Sequence, residues 1–134
     1  DEVTKHRSML KGGGGALTRE KIIATAAKQF VCIVDASNVV GRLGAFPVAL
    51  EVLPLARSMV AREVVKLGGS PVYREVYVTD NGNCILDVFD LNLNEPMAME
   101  ETLKLIPGVV ESGVFAKRSA DTVLVGCRDG IDAF

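Results

Sequence analysis

The chain has 134 residues, 24% of them charged with both signs interspersed, and a formal net charge of −2. That length suits one compact domain or two small intertwined ones, and the mixed charge leaves no basic stripe for nucleic acid. No apolar run approaches the ~20 residues that span a bilayer, and no charged-then-apolar leader points to secretion.

Residues 7–11 read as a short strand running into Gly12-Gly13-Gly14-Gly15. A helix is expected from Ala16 to Phe30, with Leu17, Ile22, Ile23, Ala26 and Ala27 as its apolar stripe. Val31–Asp35 is an apolar run suited to a buried parallel strand, so that strand, helix and strand form a β-α-β unit. Residues 36–45 read as a connection broken by Gly41 and Gly44.

The next stretch has a different grammar. Phe46–Leu53 reads as a strand, and Pro54–Leu67 as a helix with Val60, Val64 and Leu67 on one face and Gly68-Gly69 at its end. Val72–Val78 and Cys84–Leu91 read as two strands joined by a hairpin turn at Thr79-Asp80-Asn81-Gly82-Asn83. Asn94 is expected to cap a helix that turns Met99, Leu103 and Ile106 inward and stops at Pro107-Gly108. Val109–Phe115 follows as a strand, and Thr122–Gly126 as another before a turn at Arg128-Asp129-Gly130. The order β-α-β-β-α-β over residues 46–115 is that of a ferredoxin-like α+β unit. Lys66-Leu67-Gly68-Gly69-Ser70 and Lys104-Leu105-Ile106-Pro107-Gly108 occupy equivalent helix-to-strand junctions within it, as a pseudo-repeat would place them.

The candidate site lies at Lys11–Lys21. Four glycines let the backbone approach a ligand closely, and they lead into a helix N-terminus, where amide N–H groups and the macrodipole favour anions. Lys11 before the loop and Glu20 in the first helical turn put one cation and one potential base beside that cradle. Such an arrangement suits a small, oxygen-rich, anionic substrate, although a plain loop and a dipole-complementing glutamate give the same letters. The run matches neither GxxxxGK[ST] nor GxGxxG with an acidic ribose-binding partner, so nucleotide binding is not supported.

Elsewhere the chemistry is sparse. Cys32, Cys84 and Cys127 are widely spaced with no CxxC pattern and read as core thiols of a reducing cytosol. His6 is the sole histidine and reads as a surface residue, which leaves no metal site and no Ser-His-Asp relay to build. Asp80-Asn81-Gly82-Asn83 begins like a calcium loop but lacks its later acidic ligand, so a hairpin turn is preferred. Met97 and Met99 read as core filling and Glu100-Glu101 as a solvated helix face.

The run Lys11–Ile23, preceded by Asp1-Glu2, closely resembles ribose-5-phosphate isomerases of the A type. Further resemblance falls, in order, at Phe46-Pro47, Val52–Arg57, Lys66–Gly69, Val78–Asn83 and Ile106–Val110, so that it covers essentially the whole chain. The resemblance implies an α/β fold, in which residues 1–45 and 116–134 are part of a Rossmann-like domain and residues 46–115 an inserted ferredoxin-like domain. It implies a cytoplasmic, homo-oligomeric enzyme (a dimer or tetramer) of the pentose phosphate pathway, acting on a phosphorylated pentose without metal or other cofactor. Glu20 matches the family's catalytic glutamate and Lys11 its oxyanion-holding lysine; Gly12, Gly13 and Gly14 would contact substrate oxygens. Asp1 matches the second aspartate of the family's Asp-Gly-Ala-Asp-Glu motif and would position the sugar.

Two departures accompany that resemblance. Asp35-Ala36-Ser37 is followed by Asn38, where the family often carries a substrate-contacting lysine. The family's upstream half, with the first strands and a Thr/Ser/Gly phosphate loop, has no counterpart here, so the chain is expected to be the C-terminal portion of the enzyme. The rival reading is a non-catalytic small-molecule-binding or dimerisation module built on residues 46–115; it leaves Lys11 and Glu20 without a role.

Overall fold

A computed structural model describes residues 1–134 as a mixed α/β fold. Its elements in chain order are β1 (Glu2–Val3), β2 (Met9–Leu10), α1 (Leu17–Ala26), β3 (Val31–Asp35), β4 (Val48–Val52), α2 (Arg57–Lys66), β5 (Ser70–Tyr73) and β6 (Cys84–Phe89). They continue with α3 (Pro96–Lys104), β7 (Val109–Ser112), β8 (Val114–Phe115), β9 (Thr122–Cys127) and β10 (Gly130–Ala133). No helix is long and apolar enough to cross a membrane.

The middle of the chain forms a four-stranded sheet in the order β5-β6-β4-β7, with every neighbouring pair antiparallel. Because side chains alternate across a strand, Val48, Leu50 and Val52 of β4 join Cys84, Leu86 and Val88 of β6 on one face. That face meets Val60 and Val64 of α2 and Leu103 of α3 in the largest buried cluster. The other face carries Ala49 and Ile85, covered by Leu17 at the start of α1. Glycines follow both helices: after α2 the Gly69 N–H returns to the Val64 carbonyl at 2.9 Å past a Gly68 of φ +92°, and after α3 Gly108 (φ +92°) sits where a side chain would strike Ala56.

The remaining strands form two small sheets, β1-β2-β8 and β10-β9-β3. A second buried cluster of Val3, Met9, Ala24, Cys32, Phe115 and Val123, among others, fills the space between them and α1. β3 and β9 run parallel, whereas β9 and β10 form an antiparallel hairpin.

Several local expectations change. α1 stops at Ala26, not Phe30, where the Arg118 guanidinium donates to the Ala24 and Ala27 carbonyls and pairs with Asp121. Its buried side chains are Leu17, Thr18, Lys21 and Ala24, while Ile22 and Ile23 face solvent at 61% and 69% exposure. Lys21 takes the inward position because Glu100 and Glu111, 79 and 90 residues away, supply carboxylates at 2.9 and 3.2 Å. Glu100 is accordingly buried rather than solvated; it also accepts the Ala116 and Lys117 N–H groups.

β2 and β3 belong to different sheets, so they do not form a β-α-β unit with α1. β3 alternates rather than being wholly buried: Cys32 and Val34 point into the core, and Val31 and Ile33 point out, Ile33 at 78% exposure. The strand expected at 109–115 is split at Gly113, with β7 pairing β4 and β8 pairing β2. β5 ends at Tyr73, and residues 74–83 form a long excursion closed by the expected turn, in which the Thr79 N–H donates to the Asn83 carbonyl at 2.8 Å. Asn94 does not cap α3; Glu95 stands at its N-cap without a side-chain bond, and Pro96 presets the first turn.

Candidate active site

The glycine run leaves β2 and turns back on itself before α1. Gly12 and Gly15 have φ of +114° and +85°, values that a side chain resists, and the Gly15 N–H closes the turn on the Gly12 carbonyl at 3.0 Å. At Gly15 an added Cβ would collide with the Tyr77 hydroxyl. The Lys11 N–H donates to the Gly113 carbonyl at 2.8 Å, which anchors the loop's entrance to the junction between β7 and β8. The Gly13 and Gly14 N–H groups have no acceptor within the chain, and both residues are exposed.

Lys11 and Glu20 come together, as does Asp1. The Lys11 ammonium lies 3.1 Å from Asp1 Oδ2 and 3.0 Å from Glu20 Oε2, so one cation joins two carboxylates. Its own side chain is mostly buried, whereas both carboxylates remain over a third exposed and open to a ligand. A small cleft of about 70 Å³ borders Asp1, Lys11 and Gly13, with Arg74 and Asp87 opposite. Cys32 lies near this cluster; burial pushes its thiol above the ordinary value, and the Lys11 charge only partly opposes that.

Asn38 is a positioned turn residue. Its Oδ1 accepts the Asp35 N–H at 3.0 Å and its Nδ2 donates to the Asp1 carbonyl at 2.9 Å, which ties the turn after β3 to the chain at Asp1. Glu2, next to Asp1, is buried and accepts from the N–H groups of Gly44, Ala45 and Phe46.

Three residues near the loop escaped the sequence reading. Arg74 forms a two-pronged ion pair with Asp87 at 2.6 and 2.9 Å, and it donates to the Gly12 and Gly13 carbonyls at 3.4 and 3.2 Å. Donation to the Asp87 carboxylate raises the guanidinium pKa above its ordinary value, against the smaller cost of burial. The Tyr77 hydroxyl donates to the Gly14 carbonyl at 3.0 Å.

Glu51, fully buried on β4, accepts from Thr18 of α1 at 2.7 Å and from Thr79, Asn81 and Asn83 at 3.0, 3.0 and 2.8 Å. It thereby ties the start of α1 to the 79–83 turn. The recognisable signal is Glu51 itself, a glutamate within the otherwise apolar run Val48–Val52; a charge there needs partners.

Two larger cavities lie elsewhere. One of about 550 Å³ opens beside His6, Arg42 and Met97. The other, of about 570 Å³, is walled by Lys21, Glu100, Glu111, Lys117 and Arg118, whose charges are already paired with one another or with Asp121 and Glu101. No group of three His, Cys, Asp or Glu side chains is placed to hold a metal ion. All three cysteines are free thiols, two of them buried.

Comparison with known proteins bears on this arrangement. Residues 1–130 match the family model for ribose 5-phosphate isomerase A (phosphoriboisomerase A). A ribose-5-phosphate isomerase A of Legionella pneumophila (strain Corby) is 67% identical over 132 residues, 98% of this chain and 61% of that protein. The crystal structure of ribose 5-phosphate isomerase A from Neisseria gonorrhoeae superposes with a TM-score of 0.99 at 45% identity, covering 100% of this chain and 60% of the other. The Methanocaldococcus jannaschii enzyme superposes at 0.95 with 40% identity, again over 100% of this chain and 62% of its own. The chain thus spans about three fifths of the length of the relatives it matches. It belongs to the ribose 5-phosphate isomerase A family.

Proposed function

We propose that these residues carry the proton-transfer machinery of a ribose-5-phosphate isomerase that interconverts ribose 5-phosphate and ribulose 5-phosphate. The observation that carries the reading is Lys11 held between Asp1 and Glu20 beside the glycine loop. Glu20 takes the proton from C2 of the open-chain aldose, and the electrons left behind form a C1–C2 enediolate. Glu20 then returns the proton to C1 while the hydroxyl proton passes from O2 to O1. Lys11 holds the charge that develops on those oxygens, and the backbone of Gly12, Gly13 and Gly14 contacts them. Asp1 orients the sugar hydroxyls. These steps draw on no metal or redox group.

The finer architecture is part of the same proposal. Residues 46–115 form a ferredoxin-like insertion, supported by the antiparallel order β5-β6-β4-β7 with α2 and α3 on one face. Residues 1–45 and 116–134 are a portion of a Rossmann-like domain, supported by the parallel β3–β9 pair. The enzyme is a cytoplasmic homo-oligomer, dimer or tetramer; its free thiols accord with a reducing compartment.

The test is conversion of ribose 5-phosphate by a polypeptide of the relatives' full length that carries these residues. Turnover that falls by about 10²–10⁴ in Glu20→Gln, with KM little changed, is the expected result. A folded protein without turnover, or a Glu20→Gln variant as active as the parent, overturns the assignment.

A further inference from the structure

Three successive glycine carbonyls are held by two side chains of one excursion. Arg74 Nη2 and Nη1 reach the Gly12 and Gly13 carbonyls, and the Tyr77 hydroxyl reaches that of Gly14. The guanidinium stacks on the Tyr77 ring at 5.3 Å and is locked by Asp87. In a trans peptide the N–H points opposite to the carbonyl of the same unit. Holding the Gly12 and Gly13 carbonyls therefore turns the N–H groups of Gly13 and Gly14 away from Arg74. The Gly15 N–H is consumed within the turn, which leaves those of Gly13 and Gly14 without an acceptor. Glycine otherwise allows such peptide planes to rotate freely.

We propose that Arg74 and Tyr77 are positioning residues for the isomerisation: Arg74 fixes the two peptides that carry the Gly13 and Gly14 N–H groups, and Tyr77 fixes the next peptide, whose Gly15 N–H closes the turn, so that the two free N–H groups are already aligned for the enediolate oxygens. The inference rests on the isomerase reading of the site. Arg74 borders the cleft beside Asp1 and Lys11, but its donors go to Asp87 and to the loop carbonyls, so that it, like Tyr77, acts through the backbone it holds. A donor fixed in advance stabilises charge that appears only in the transition state, so its loss lowers kcat and leaves substrate affinity nearly unchanged. Asp87 holds the Arg74 fork in place, and a lysine at position 74 could not reach two carbonyls and a carboxylate together.

The experiment measures kcat, KM and thermal midpoint for Tyr77→Phe, Arg74→Lys and Glu20→Gln in the full-length enzyme. Tyr77→Phe removes a single hydroxyl and keeps the ring, so it remains informative even if Arg74→Lys misfolds. The expected result is a kcat about 5–10-fold lower in Tyr77→Phe and about 100-fold lower in Arg74→Lys. Both should keep KM within about twofold, and Tyr77→Phe should melt within ~2 °C of the parent. If Glu20→Gln is inactive while Tyr77→Phe and Arg74→Lys keep full kcat, the site reading stands and this inference falls. A rise in KM at constant kcat, or a loss of activity that only tracks the unfolded fraction, overturns it equally. An inactive parent enzyme removes both readings.

Discussion

Replacing Glu51 with Gln keeps the side chain's shape and removes its charge. The carboxylate is fully buried, accepts from Thr18, Thr79, Asn81 and Asn83, and touches no cation. In E51Q the Thr18 hydroxyl can reverse and accept from the new amide, so the bonds to the remaining oxygen survive in neutral form. Bonds to a charged group contribute about 1.5–3 kcal/mol and neutral ones about 0.5–1.5, so three weakened bonds lose about 3 kcal/mol. The neutral amide also avoids part of the desolvation penalty of a buried charge, which brings the net loss to about 1–3 kcal/mol.

The assay is a thermal melt across pH. A loss near 2 kcal/mol lowers the midpoint by about 4–8 °C in a protein of 150–250 residues. Burial by itself would raise the Glu51 pKa, yet Asn83, Thr18, Asn81 and Thr79 together outweigh it and leave the pKa below the ordinary value. A depressed folded-state value means that the stabilisation is complete above the unfolded value of ~4.3 and drains away as pH falls through the folded one. The gap between parent and E51Q should therefore be widest near neutrality and close in acid. Equal melting at pH 7, or a gap that stays constant down to the acid limit of folding, refutes the argument.

Lys11→Ala should lower turnover, because it removes the charge that holds the enediolate, and should weaken binding too, because the same ammonium fixes Asp1; steady-state kinetics showing kcat unchanged would contradict this role. Lys21→Met strands the buried Glu100 carboxylate and the Glu111 carboxylate beside it, and should cost about 3–5 kcal/mol in denaturant unfolding; a loss below 1 kcal/mol would show that water replaces the ammonium. Gly15→Ala places a Cβ on the Tyr77 hydroxyl at a φ of +85°. It should lower kcat at least as far as Tyr77→Phe, and an unchanged rate would mean that the loop tolerates another path.

Local pattern revealed the elements whose signals are local. Pro54 and Gly68 bracket α2, the alternation of Val48, Leu50 and Val52 gives β4, and the Asn81-Gly82 pair lies in the turn it suggests. The Lys11–Glu20 pair was legible too, because nine residues of loop and first helical turn bring the two groups together. What stayed hidden depends on distant partners. Ile22 and Ile23 outrank Lys21 on any hydropathy argument, yet Lys21 faces inward because α3 and β7 deliver Glu100 and Glu111 to it. Arg74 and Tyr77 sit in a segment that read as strand; their hold on the glycine carbonyls, 61–63 residues away, leaves no mark on periodicity.

β3 is hydrogen-bonded to β9 on one side and to no strand on the other, with Val31 and Ile33 displayed on its outer face. A free row of backbone donors and acceptors flanked by β-branched side chains is a template onto which a further strand adds, in register and without a barrier of recognition. These 134 residues by themselves are therefore expected to associate through this edge. Precipitation should rise steeply with concentration, and a lysine introduced at Ile33 should suppress it while leaving the two cores untouched.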